Sequence, residues 1–101
     1  MNNNHHRILI FGREQQSMDV VTRILETAGF IVTGTLDEGV AIDLAGNSDY
    51  EALVIGREVS PSDRRYVATK SRDASPSLTV VAVQSPESVL TQLRQAGVSV
   101  R

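Results

Sequence analysis

The stretch Arg7-Ile8-Leu9-Ile10-Phe11-Gly12-Arg13-Glu14 decides the fold. Five residues of a continuous, mostly apolar run end in a glycine and two charges of opposite sign. A second run, Ala52-Leu53-Val54-Ile55-Gly56-Arg57-Glu58, ends in the same tripeptide, Gly-Arg-Glu. Runs that are unbroken rather than alternating, and rich in β-branched or aromatic residues, suit strands covered on both faces, as in a parallel sheet. If both strands are central and parallel, their endings lie side by side at the mouth of the sheet, where open α/β folds bind their ligands.

The chain has 101 residues, the size of one domain. A formal net charge of −2 supplies no field that would hold nucleic acid or an anionic membrane, so neither is an expected partner. Cysteine is absent, which excludes disulfides, thiolate metal sites and thiol catalysis. No apolar run approaches a membrane span and the start is polar, so a cytoplasmic location is the expectation. Residues 1–6 read as a disordered tail and 7–101 as the single domain. The adjacent His5 and His6 make at most a two-ligand metal site, and no metal or other cofactor is expected.

From Ser17 the apolar period changes. Met18, Val21, Leu25 and Ala28, widened by Val20 and Ile24, form one face of a helix. Ser17 is a candidate N-cap, with Glu14 to Gln16 as an earlier start, and Gly29 is the stop. Phe30 to Gly34 is a second strand. Asp37 caps a shorter helix carrying Val40, Ala41, Leu44 and Ala45, stopped by Gly46-Asn47. Tyr50 to Gly56 is the third strand. Ser60-Pro61-Ser62-Asp63 combines a cap, a proline at the first helical position and an acid that reaches back. The helix it opens is mostly polar as far as Arg72. Leu78 to Val83 is a fourth strand, Ser85-Pro86 starts a helix through Val89, Leu90, Leu93 and Ala96, and Gly97 ends it. Val98 to Arg101 reads as a fifth strand or its beginning. Strict alternation with short links implies right-handed crossovers and a doubly wound parallel sheet with helices on both faces.

This pattern resembles the receiver domain of bacterial response regulators, from Arg7 to about Gly97. Arg7 to Glu14 is similar to the first receiver strand and its acidic loop, Ala28-Gly29-Phe30 to the step into strand two, Glu51 to Gly56 to the strand that carries the phosphoacceptor, and Ala96-Gly97 to the step before strand five. The resemblance implies an α/β fold with a five-stranded parallel sheet in the flavodoxin-like order 2-1-3-4-5, here without the C-terminal helix. It also implies a chemistry that these residues lack. A receiver binds Mg²⁺ through an acidic pair after strand one and is phosphorylated on an aspartate ending strand three; the matching positions are Gly12-Arg13 and Gly56. Hard cations need oxygen ligands and an aspartyl phosphate needs a carboxylate, so Gly56 is a non-functional phosphoacceptor position. The switch hydroxyl falls on Gln84, or on Ser85 in a shifted register, and the family's lysine has no counterpart. The resemblance is thus to a degenerate receiver.

With Arg13 and Arg57 where a receiver has acids, the mouth is suited to an anion. Gly12, Arg13, Gly56, Arg57, Gln84 and Ser85 are the candidate binding residues, and helix starts at Ser60 and Ser85 add free N–H groups. The plainer alternative is that Glu14, Glu58 or Asp37 neutralises the arginines. No G-x-G-x-x-G, G-x-S-x-G or nucleophile-base pairing is present, so no enzyme activity is expected. Receivers close with a helix that, beside the first, covers one sheet face. Lacking it, the chain is expected to leave that face partly bare and to associate there as a homodimer or with a protein partner, unless Arg101 is a cut within a longer chain. The functional expectation is a protein-interaction domain in signalling, with an anion or nucleotide sensor as the alternative.

Overall fold

The computed structural model describes residues 6–47 and 49–100. Residues 1–5, most of the expected tail, and Arg101 lie outside the described residues, whereas His6 stacks edge-on against Phe30. The order of elements is β1 (Arg7–Phe11), α1 (Gln15–Thr27), β2 (Ile31–Thr35), α2 (Glu38–Asn47), β3 (Ala52–Ile55), α3 (Pro61–Ala74), β4 (Thr79–Ala82), a 3-10 turn (Pro86–Ser88) and α4 (Val89–Gln95). All strands are parallel, in the order β2-β1-β3-β4. The two unbroken apolar runs are the central pair, and Ile8 to Phe11 and Ala52 to Ile55 are all buried.

Alternation of side chains across the sheet divides the core in two. Ile8, Ile10, Val54 and Val81 face α1 and α4, meeting Met18, Val21, Leu25, Val89 and Leu93. Leu9, Phe11, Leu53 and Ile55 face α2 and α3, meeting Ala41, Ala45, Val59 and Val67. Buried leucines and isoleucines of this kind contribute on the order of 2 kcal/mol each, enough to fix the layers.

Local signals set the helix ends. Asp37 accepts a hydrogen bond from the Val40 N–H at 2.9 Å and Ser60 one from the Asp63 N–H at 3.2 Å, as the sequence suggests. The first helix starts earlier than a Ser17 cap would place it, at Gln15 after Glu14, and the Ser17 hydroxyl donates to the Glu14 carboxylate at 2.5 Å. The second helix, α2, ends at Asn47, within the Gly46-Asn47 pair that the sequence offers as its stop.

Two expectations are corrected. The sheet has four strands among the described residues, not five: Val98 to Val100 is not a strand. Gly97 adopts φ +96°, the left-handed conformation in which Gly29 (φ +99°) ends α1. At each end the glycine N–H bonds the carbonyl two residues before the cap, and the next residue's N–H bonds the carbonyl before that: Phe30 to Leu25 at 3.0 Å, Val98 to Leu93 at 2.9 Å. This motif directs the following apolar side chain back onto its helix. Val98 is therefore buried in the α1–α4 core layer and does not run along β4. The second correction follows. The sheet face beside α1, expected to be partly bare, carries α4, whose Val89 and Leu93 are fully buried against it. Both outer strands, β2 and β4, have an edge unpaired among the described residues, that of β4 lying beside α3.

Gly97→Ala is expected to cost about 1–2 kcal/mol although its methyl would meet no atom within 4 Å, because the penalty is conformational, and Gly97→Asn should cost less. Urea denaturation of the three proteins checks this.

Candidate functional site

The register that pairs Phe11 with Ile55 brings the two Gly-Arg-Glu endings together, and the Gly56 N–H donates to the Phe11 carbonyl at 2.9 Å. Gly12 in turn donates to the Thr35 carbonyl of β2 at 3.2 Å. The mouth of the sheet is thus floored by two adjacent glycines with no side chains.

A carboxylate fills the space they leave. Glu58 folds back over both: a Cβ placed on Gly56 would lie 2.6 Å from its Oε1, and one on Gly12 would lie 3.1 Å from it. The Arg13 backbone N–H donates to the same oxygen at 3.3 Å. Glu58 thus occupies the volume that an aspartate side chain at position 56 would need. Beneath it, a cavity of about 50 Å³ runs between α1 and the sheet, lined by Ile10, Met18, Val21, Val54, Val83 and Pro86. Such a volume suits one or two small molecules of water size, and its walls offer few polar groups.

The arginines diverge. Arg13 turns toward the α2–α3 side and bonds Asp63 at 2.9 Å and Glu38 at 3.0 Å, with a longer contact to the Leu36 carbonyl at 3.4 Å. Its guanidinium also lies 4.9 Å from the centre of the Phe11 ring. The hydrogen bond that Arg13 donates to Asp63, followed by the one it donates to Glu38, holds the arginine pKa above its ordinary value. A neutralised Arg13 was anticipated, but through Glu14, Glu58 or Asp37; its side chain instead joins the starts of α2 and α3. Arg57 is exposed and borders the cavity without a carboxylate partner.

Gln84 and Ser85 belong to a separate network. The Gln84 N–H donates to Gln92 Oε1 at 2.9 Å, Gln92 Nε2 donates to the Ala82 carbonyl at 2.8 Å, and the Ser88 hydroxyl accepts from the Ser85 N–H at 3.2 Å. These bonds fasten the end of β4 to α4. Of the six candidate binding residues, Gly12, Gly56 and Arg57 surround the mouth, Arg13 contributes only its backbone N–H there, and Gln84 and Ser85 do not line it. Glu58 is the functional position that the sequence reading treated only as a neutralising charge; its place two residues beyond glycine was the available signal. No group of three or more metal-ligating side chains occurs among the described residues.

No protein-family model matches the chain, and no curated protein matches it significantly. Solved structures do resemble it. A crystal structure of a Burkholderia pseudomallei protein described as pilus assembly-related superposes with a TM-score of 0.63 at 20% identity, covering 98% of this chain and 78% of that one. The solution structure of a de novo designed Rossmann 2x3 protein gives 0.58 at 15% identity, covering 95% of this chain and 94% of the design. The chain therefore has a Rossmann-like α/β fold with a parallel four-stranded sheet.

Gly56→Ala should destabilise the protein by about 1 kcal/mol, and most of the loss should vanish in a Glu58→Ala background, because the three atoms nearest the added methyl all belong to that carboxylate. Chemical denaturation of the four-member cycle measures the coupling. A cycle of Arg13→Ala with Asp63→Ala should give a coupling of about 1 kcal/mol or less that fades in molar salt, since both side chains are partly exposed. Because the folded pKa of Arg13 is raised, its contribution is complete below the ordinary arginine pKa and disappears only above it. Moderate alkali should therefore leave the coupling unchanged.

Proposed function

We propose that the chain is a receiver-like interaction domain that is not switched by phosphorylation. The observation that carries this reading is the mouth itself: glycines stand at positions 12 and 56, and the Glu58 carboxylate lies over both of them. Phosphoryl transfer from a small donor needs an acceptor carboxylate and a cation held by several oxygens. One glutamate, already accepting from the Arg13 N–H, is a poor substitute for that set. Among the described residues no group of three or more metal-ligating side chains occurs, and our reading is of a domain that acts by contact.

The competing reading, a sensor of small anions or nucleotides at the same mouth, is weaker. Arg13 is committed to two carboxylates and Glu58 places negative charge where the anion would sit, leaving Arg57 alone as a charged donor. A signalling setting rests on the receiver resemblance only. The fold shared with a pilus assembly-related protein is compatible with a role in assembly, which would equally depend on contact.

Incubation with acetyl phosphate and Mg²⁺ should leave the intact mass unchanged, and amide resonances of Gly12 and Gly56 should not move when phosphate is added. Gly56→Asp alone should not restore labelling, because Gly12 and Arg13 still provide no metal ligands. A mass gain of one phosphoryl group on the unaltered chain would overturn the reading.

A further inference from the structure

On the α3 side of the sheet, α3 and β4 enclose an open groove of about 320 Å³. Its walls differ sharply in character. Ile55, Ala68, Val80 and Ala82 form an apolar floor, and Arg64, Arg65 and Arg72 line the helical side. Arg64, Ala68 and Arg72 recur every four residues, so they form one stripe along α3. The adjoining flank of the helix, with Val67 and Ser71, is buried. Among the described residues none of the three arginines has a carboxylate within 4 Å, and the buried Arg64 Nε lacks an acceptor, although its Nη2 donates to the Val59 carbonyl at 3.3 Å. Three cations beside apolar surface, with no internal counter-charge, define what the groove can accept.

The sheet supplies the second half of the argument. β4 pairs only with β3, so its outer edge offers backbone donors and acceptors, and Gln92 covers only the end at Ala82. An added strand would run beside Val80 and Ala82, with alternate side chains pointing toward α3. Along α3, Arg64 and Arg72 are separated by about 12 Å, at 1.5 Å per residue. Along a strand, positions i and i+4 are separated by about 13 Å, at 3.3 Å per residue. The two spacings coincide.

We propose that this groove docks an extended acidic segment of a partner protein, which pairs with β4 as a fifth strand. Carboxylates at positions i and i+4 of the segment meet Arg64/Arg65 and Arg72, and an apolar side chain at i+2 covers Ala68, Val80 and Ala82. A second copy of this chain is the wrong occupant, because two-fold pairing of β4 with β4 would bring the two arginine stripes to the same side of the joined sheet. This inference rests on the reading of the chain as an interaction domain, and it names the surface and the chemistry of the partner. It is independent of whether the mouth can be phosphorylated.

The test is titration of the ¹⁵N-labelled full chain with a seven-residue peptide of threonines carrying glutamate at its second and sixth positions and valine at its fourth. Shifts confined to β4 and the exposed flank of α3, with a dissociation constant on the order of 100 μM, are expected. The double variant Arg65→Glu/Arg72→Glu, whose two arginines are exposed and make no ion pairs, should weaken binding at least about tenfold with an unchanged melting temperature. Raising the salt concentration should weaken binding of the unaltered chain in the same direction. The same peptide with lysine in place of glutamate should produce no shifts. The proposal is overturned by silence at β4, by equal binding of the lysine peptide, or by concentration-dependent shifts at β4 of the chain alone, which would mark a second copy as the occupant. A silent groove with no phosphorylation would sink this inference alone, and labelling with an active groove would sink only the account of the mouth.

Discussion

The parallel register of β1 and β3 is the constraint from which the rest of the molecule follows. It sets Gly12 beside Gly56 at the C-terminal edge of the sheet, with the Gly56 N–H bonded to the Phe11 carbonyl at 2.9 Å. With no side chain on either residue, the edge has a hollow, and hollows at this position are where α/β sheets normally do their chemistry. Here the chain closes its own hollow. Two residues past Gly56, Glu58 turns back over both glycines, and Arg13, the charge that would have compensated an incoming anion, is drawn sideways to Asp63 and Glu38. The second glycine-arginine-glutamate ending thus supplies the plug for the pair.

The same arginine ties three connections together. It leaves β1, reaches the start of α2 at Glu38 and the first turn of α3 at Asp63, and lies against the Phe11 ring. Partly exposed ion pairs contribute little individually. Their effect here is geometric, since they hold the starts of α2 and α3 beside the loop after β1 and draw the guanidinium away from the mouth. Because α4 folds onto the α1 layer, the open surface lies next to α3, and α3 has a row of arginines on that flank. The mostly polar helix of the sequence thus carries a distinctive charged surface, with Arg64, Arg65 and Arg72 along the groove.

The strands and helix ends were legible because each depends on neighbours in sequence. Unbroken apolar runs at Ile8–Phe11 and Ala52–Ile55, the caps at Asp37 and Ser60, and the stop glycines at 29 and 97 all appear where local chemistry puts them. Val98-Ser99-Val100 has strand-like residues but forms no strand; the same cap bond joins Phe30 to Leu25 and Val98 to Leu93, and a strand follows only the first, so no local signal separates the two. The site was less legible. Arg13 finds partners 25 and 50 residues away, and no spacing rule ranks Glu38 and Asp63 above the nearer Glu14. Likewise the sequence places a carboxylate two residues after Gly56 without specifying its rotamer, and on that rotamer depends whether the mouth is open.

The position of the Glu58 side chain in solution is therefore the most direct measurement. Nuclear Overhauser contacts from the Glu58 Hγ protons to the Hα protons of both Gly12 and Gly56 are predicted, and they should persist when acetyl phosphate and Mg²⁺ are present. A Glu58 side chain with no contact to either glycine, joined by Mg²⁺-dependent shifts at Gly56, would contradict the account of a self-closed mouth.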